Sequence, residues 1–412
     1  MITRPPDPTA YSRALATLWN EVATVGRNPA TGGYRRFAWT DEDRTLREWF
    51  AGAAQGRGLD VTLDRAGNQW AWWGDPDQGA IRGTPGLVVG SHLDSVPDGG
   101  PYDGPLGVIS SLAAIEVLRA EGFRPSRPIG VVNFGDEEGA RYGVACAGSR
   151  LLTGALDPDR ARGLRDTEGA SMAEGMAAAG LDPEGVGPDP LALQRIGTFV
   201  ELHVEQGRGL VDLGAAVGVA SGIWPHGRWR FDFDGEANHA GTTRLADRHD
   251  PMLAYATAVL VARTAAEQQG ALATFGKIRV EPNGVNAIPS RVTAWLDARA
   301  ASGPVVRELV RQLFSADATI TEESWTDPTV FDTGLQAHLA ALLADRAGTA
   351  APLLATGAGH DAGILSLAGV RTAMLFVRNP TGVSHSPDEY AEESDCVAGV
   401  EALARVIRDL AS

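Results

Sequence analysis

His92 and Asp94 stand together in Gly90-Ser91-His92-Leu93-Asp94, and Asp103 follows nine residues past Asp94. An imidazole and two carboxylates after an apolar run (Leu87, Val88, Val89) are the donor types that divalent cations take from proteins. The loop Pro97-Asp98-Gly99-Gly100-Pro101-Tyr102-Asp103-Gly104-Pro105 is too rich in Gly and Pro for regular structure, which makes an ion a candidate for what shapes it. Solvated turn caps have the same composition.

Three further clusters have the same setting. Gly135-Asp136-Glu137-Glu138-Gly139 follows the apolar run Ile129 to Phe134. Neighbours in an extended chain point opposite ways, so one glutamate can bind a cation while the other takes a proton from water. An exposed acidic turn is the plain alternative. In Phe199 to Gly207, a period of two puts Glu201, His203 and Glu205 on one face, as it also would in a half-exposed edge strand. Gly382-Val383-Ser384-His385-Ser386-Pro387-Asp388-Glu389 comes just after the apolar Met374 to Val377. His360, in Gly359-His360-Asp361, opens a helical stretch and is expected to line a pocket rather than ligate.

The elements that must position these groups are four strand-like runs: Leu87 to Val89, Ile129 to Phe134, Phe199 to Val204 and Thr372 to Val377. They alternate with helical stretches such as Gly107 to Glu121 and Cys396 to Leu410. This predicts an α/β domain, a mostly parallel sheet with helices on both faces. Such sheets gather ligands outside the carboxyl ends of their strands, where all four motifs fall. Near Gly218 to Gly222 the texture changes. Period-two segments Trp229 to Phe233 and Arg291 to Asp297 flank a helical Pro251 to Gln269, predicting an inserted α+β domain with an antiparallel sheet. The expected division is a discontinuous catalytic domain, 1–217 with 331–412, and an insertion, 218–330.

Composition narrows the partners. The 412 residues carry 44% hydrophobic and 21% charged side chains and a net charge of −16, which argues against nucleic acid and anionic membrane surfaces. Two cysteines, Cys146 and Cys396, make no disulfide framework and point to a reducing, cytoplasmic compartment. The first 27 residues hold no apolar signal segment, and no run is long enough to span a membrane.

In their order and strand-end placement, these motifs resemble the zinc-dependent aminoacylase and carboxypeptidase superfamily of metallopeptidases. Within it the chain is similar to the amidohydrolase branch: N-carbamoyl-L-amino-acid hydrolases, allantoate amidohydrolases and β-ureidopropionases. The likeness runs from about Arg44 to Arg408. It implies two divalent ions, Zn²⁺ or Mn²⁺ with Co²⁺ and Ni²⁺ also acceptable, held by His92, Asp103, Glu138, His203 and His385, with Asp103 bridging. Asp94 then orients His92, Glu137 is the general base, and Gln206 contacts substrate. His203 stands where the peptidase branch is normally acidic, which disfavours aminoacylase or carboxypeptidase activity. A non-catalytic relative would be expected to lose a ligand or the base, and this chain keeps all six.

The resemblance also assigns the insertion. It implies a ferredoxin-like lid and dimerisation domain whose Gly235 to Thr243 segment sends His239 into a neighbouring subunit to stabilise an oxyanion. Asn286 and Arg299, in Asn283 to Arg291 and Leu296 to Arg299, are implied to hold the substrate carboxylate, with His360 nearby. Arg244 departs from the proline often found there. The implied activity is cleavage of the carbamoyl C–N bond of a small ureido carboxylate in ureide catabolism, releasing ammonia and carbon dioxide. Ile223 to Trp229 and Phe376 to Pro380 favour allantoate, with N-carbamoyl-L-amino acids as the alternative.

Overall fold

A computed structural model describes residues 9–313 and 318–412. The proline-containing start, residues 1–8, lies outside them. The chain forms two compact units, Met1–Ser221 with Val330–Ser412, and Gly222–Thr329.

In the first unit the four strand-like runs become four adjacent strands. Their spatial order is Ile129–Phe134, Gly86–His92, Ile196–Val204, Arg371–Val377, and all three pairings are parallel. Each is buried almost throughout, as expected for parallel strands covered on both faces. Antiparallel strands extend the sheet, Gln69–Trp73 beside Ile129–Phe134 and Val217–Ile223 beside Arg371–Val377. The glycine-rich texture at Gly218 therefore belongs to an antiparallel strand of the first sheet, and the chain crosses into the second unit four residues later than expected. No helix among the described residues is long and apolar enough to cross a membrane.

The helix Pro105–Ala120 is apolar nearly all round because it is sandwiched. It packs on the His92 and His203 strands and beneath helices Ala10–Val22 and Glu393–Leu410. Gly107 permits that closeness, since a Cβ there would meet the Leu202 carbonyl oxygen at 2.3 Å. Helices Ala147–Thr153 and Asp361–Leu367 pack together, the latter against the His203 and Arg371–Val377 strands.

Gly90 sits at φ 142° inside the His92 strand, where a Cβ would stand 2.1 Å from the Val132 carbonyl oxygen. Gly90→Ala is expected to cost about 3 kcal/mol, because neither backbone can yield without losing ladder bonds. A lowered midpoint of thermal unfolding checks this; an unchanged midpoint contradicts it.

The second unit runs strand, helix, strand, strand, helix, strand. Its spatial order is Thr319–Thr326, His226–Asp234, Arg291–Arg299, Leu272–Glu281, all antiparallel. This is the ferredoxin-like arrangement. Gly227, Trp229, Phe231 and Phe233 alternate inward, and helices Pro251–Gln269 and Gly303–Gln312 pack on the sheet.

Candidate metal centre

His92, Asp103, Glu137, Glu138, His203 and His385 converge at the carboxyl ends of the four parallel strands. Two triads have donor atoms within 4.8 Å of one another: His92, Asp103 and His203, and Asp103, Glu138 and His385. Asp103 belongs to both. Its Oδ1 lies 3.1 Å from His203 Nε2 and 3.8 Å from His92 Nε2, and its Oδ2 lies 3.3 Å from His385 Nε2. His385 Nε2 is 3.6 Å from Glu138 Oε2.

The imidazoles are oriented from behind. His203 Nδ1 donates to the Val204 carbonyl at 2.8 Å, and His92 Nδ1 faces the Asp94 carbonyl at 3.1 Å and its carboxylate at 3.5 Å. In each ring this leaves Nε2 as the acceptor that a cation needs. The Nε2 atoms of His92 and His203 and the Oε1 of Glu138 are buried without a hydrogen-bond partner. Buried polar atoms are ordinarily paired, so these three converging orphans fit a bound cation.

Asp94 does more than the sequence indicated. Its two carboxylate oxygens accept the backbone N–H groups of Glu137 (3.1 Å) and Glu138 (3.0 Å), fixing the turn that sends the glutamates apart. Asp136 supports the same turn with φ 54°. Glu137 Oε2 stands 3.7 Å from His92 Nε2, so His92, Glu137 and Glu138 form a third cluster. Asp136 and Glu137 are buried, which removes the exposed-turn alternative.

Glu201 and Glu205 have structural partners instead. Glu201 accepts Ser91 Oγ (2.7 Å) and the Ala362 N–H (3.1 Å), and Glu205 caps the Gly209 and Leu210 N–H groups. The His203 strand is central and buried, not a half-exposed edge. His360 is buried, its ring 4.5 Å from that of His203 and its Nε2 unpartnered, so it lines the centre. Although it clusters with Glu201 and His203, the Glu201 oxygens are already engaged, which makes that triad the poorer cation site. Gln206 Nε2 is turned onto Asp103 Oδ2 (2.9 Å), Ser384 Oγ (3.2 Å) and His385 Nε2 (3.3 Å), an arrangement that spacing did not reveal.

Electrostatics fit the same picture. Burial drives Glu137 well above the usual carboxylate range, against the pull of His92 and with Asp361 and Glu138 adding to it. Burial, reinforced by Asp103, pushes Glu138 up to about 7. Asp103 is held well below its usual range: burial opposes this, but the adjacent imidazoles of His203 and His385 outweigh it. The hydrogen bond to Asp103 raises His385 to about 9, and burial followed by the nearby His203 pushes His360 well down. Carboxylates this crowded repel one another, and a cation among them relieves that repulsion.

In the second unit, His239 and Asn286 are brought together by a short antiparallel pairing, Ala287 with His239, and by the Ala240 N–H on the Asn286 carbonyl (3.0 Å). The Gly241 N–H donates to His239 Nδ1 at 3.0 Å, which places the proton of the neutral ring on Nε2. Arg299 is elsewhere, at the far end of Arg291–Arg299, with its guanidinium forked onto Asp297 at 2.6 and 3.0 Å.

A parallel sheet whose strand ends hold two carboxylate-linked histidine sites, with a ferredoxin-like insertion, defines a class of metal-dependent hydrolases. Residues 88–409 match peptidase family M20/M25/M40, and the chain belongs to that metal-dependent family. It is 37% identical to an N-carbamoyl-L-amino acid amidohydrolase of Geobacillus stearothermophilus, over 96% of this chain and 98% of that one. It is 32% identical to the allantoate amidohydrolase of Escherichia coli (strain K12), over 98% and 99%. Among solved structures, a hydantoinase/carbamoylase family amidase from Burkholderia vietnamiensis superposes with a TM-score of 0.85 at 29% identity, covering 97% of both chains. The protein is an amidohydrolase, a hydrolase of C–N bonds.

Proposed function

We propose that the substrate is a small carboxylate bearing a ureido group, cut at its carbamoyl C–N bond, with allantoate as the leading candidate. The observation that carries this reading is the pair of triads sharing Asp103, with Glu137 Oε2 beside them. His92, Asp103 and His203 would hold one divalent ion, and Asp103, Glu138 and His385 the other, as Zn²⁺ or Mn²⁺. Ions bound there supply Lewis acidity, polarising a carbonyl and acidifying a water.

The remaining work falls to the chain. Glu137 Oε2 accepts a proton from the attacking water and delivers it to the leaving nitrogen, and the carbamate released breaks down to ammonia and carbon dioxide. His239 Nε2–H donates to the oxyanion, a contact worth about 10²–10³ in rate. Arg299, its guanidinium plane fixed by Asp297, pairs with the substrate carboxylate, and Asn286 adds a hydrogen bond.

His239 and Asn286 lie beyond one end of a nine-residue strand and Arg299 at the other, about 26 Å apart at 3.3 Å per residue. One chain therefore cannot bring all three to one small substrate. This supports a homodimer in which His239 and Asn286 serve the partner's site. Leu253 and Leu260, 70% and 69% exposed on helix Pro251–Gln269, offer an apolar face for a second copy. Two free, buried cysteines support a cytoplasmic setting.

The higher identity to the Geobacillus enzyme favours the second reading, an N-carbamoyl-L-amino acid. Ammonia release from allantoate and from a panel of N-carbamoyl-L-amino acids, with Mn²⁺- and Zn²⁺-loaded protein, tests both. Allantoate is expected to give the highest kcat/KM. A better N-carbamoyl-L-amino acid transfers the assignment, and no ammonia from any of them refutes the class.

A further inference from the structure

Glu389 belongs to neither triad, yet it ties together the two segments that carry their least regular ligands. Its Oε2 accepts the backbone N–H groups of Tyr102 (2.8 Å) and Asp103 (3.1 Å), across 286 residues of sequence from Asp103. Its Oε1 lies 3.3 Å from Ser384 Oγ, next to His385, and the same hydroxyl lies 3.3 Å from Asp103 Oδ2. That hydroxyl has one proton, so it serves one carboxylate at a time, while Gln206 Nε2 donates to it at 3.2 Å.

The loop holding Asp103 has no strand or helix to fix it, and His385 sits at φ 54° in a segment that is also irregular. Buried N–H groups at Tyr102 and Asp103 would be costly unpaired, and Glu389, 4% exposed, is what pairs them. The space for it is made by Gly100. A Cβ there would lie 2.3 Å from both Cβ and Oε2 of Glu389, so it is the glutamate, not the backbone angle, that requires this glycine.

We propose that Glu389 is a positioning residue that locks the Asp103 loop onto the His385 segment and so sets the affinity of the Asp103–Glu138–His385 cation site. The inference rests on the two-ion reading. Its mechanism is steric and hydrogen-bonding, not electrostatic: a glutamine can accept the same two N–H groups through its oxygen and donate to Ser384 Oγ through its nitrogen.

Calorimetric titration of metal-free full-length protein with Mn²⁺ provides the test. The native protein is expected to bind two ions. In Glu389→Ala one ion should bind about 10–100-fold more loosely, the usual effect of removing a group behind a ligand, with the other unchanged. Glu389→Gln should bind both nearly as the native protein does, and Gly100→Ala should reproduce the alanine variant without touching Glu389. Two unaltered ions in Glu389→Ala overturn the inference alone, as does a glutamine variant as weak as the alanine one. A native protein that binds a single ion overturns the two-ion reading and this inference with it.

Discussion

Glu137→Gln is expected to lose kcat by about 10³-fold, within the 10²–10⁴ range of general acid–base catalysis, while binding both ions. The substitution is isosteric, and what fixes Glu137 is mostly backbone: its N–H on Asp94 Oδ1 (3.1 Å) and its carbonyl receiving the Cys146 N–H (2.5 Å). The amide therefore keeps the place of the carboxylate and loses only the ability to take a proton. The measurement is ammonia release alongside bound metal per chain. Because Glu137 and Glu138 both stand near His92, the pair of readings also decides their roles. Residual turnover within tenfold of the native rate sinks the base role, and loss of an ion would make Glu137 a ligand.

Mixing two inactive variants should restore activity. His239→Ala and Arg299→Ala are each expected to be severely impaired, since one removes the oxyanion donor and the other leaves the substrate carboxylate unpaired. If His239 crosses to the partner, a heterodimer of the two variants has one site with a native Arg299 and a native partner histidine. The other site lacks both. Co-expression at equal levels then gives half heterodimers with one good site of two, about a quarter of native activity. Activity no higher than the average of the two parents would show that each chain supplies its own histidine and would refute the crossed arrangement.

Legibility followed local periodicity. The central strands announced themselves as unbroken apolar runs, and each ended in a cluster of ionisable groups, so the parallel core and the place of the candidate site could be read directly, while the choice of five ligands among those groups came from the resemblance. The antiparallel flank was not. Gln69–Trp73 is five residues with three tryptophans, too short to separate from a loop by pattern. Contacts between distant segments left no periodic trace either. The bond from Glu389 to the Asp103 loop and the Asp94 clamp on the Glu137–Glu138 turn join groups 286 and more than 40 residues apart. His239 and Arg299 show the opposite limit. By composition they are a turn residue and a strand-end charge, and only the resemblance gave them work; the strand geometry then added that His239 lies beyond one end of the strand Arg291–Arg299 and Arg299 at the other.

The most direct test of the shared carboxylate is a titration of metal-free protein with Mn²⁺, followed by bound ion per chain and by ammonia release from allantoate or the best N-carbamoyl-L-amino acid. Two ions per chain are expected, with turnover rising as the second is taken up, and Asp103→Ala should lose affinity for both together. Full turnover at one ion per chain, or an Asp103→Ala protein that still binds two, would contradict the account.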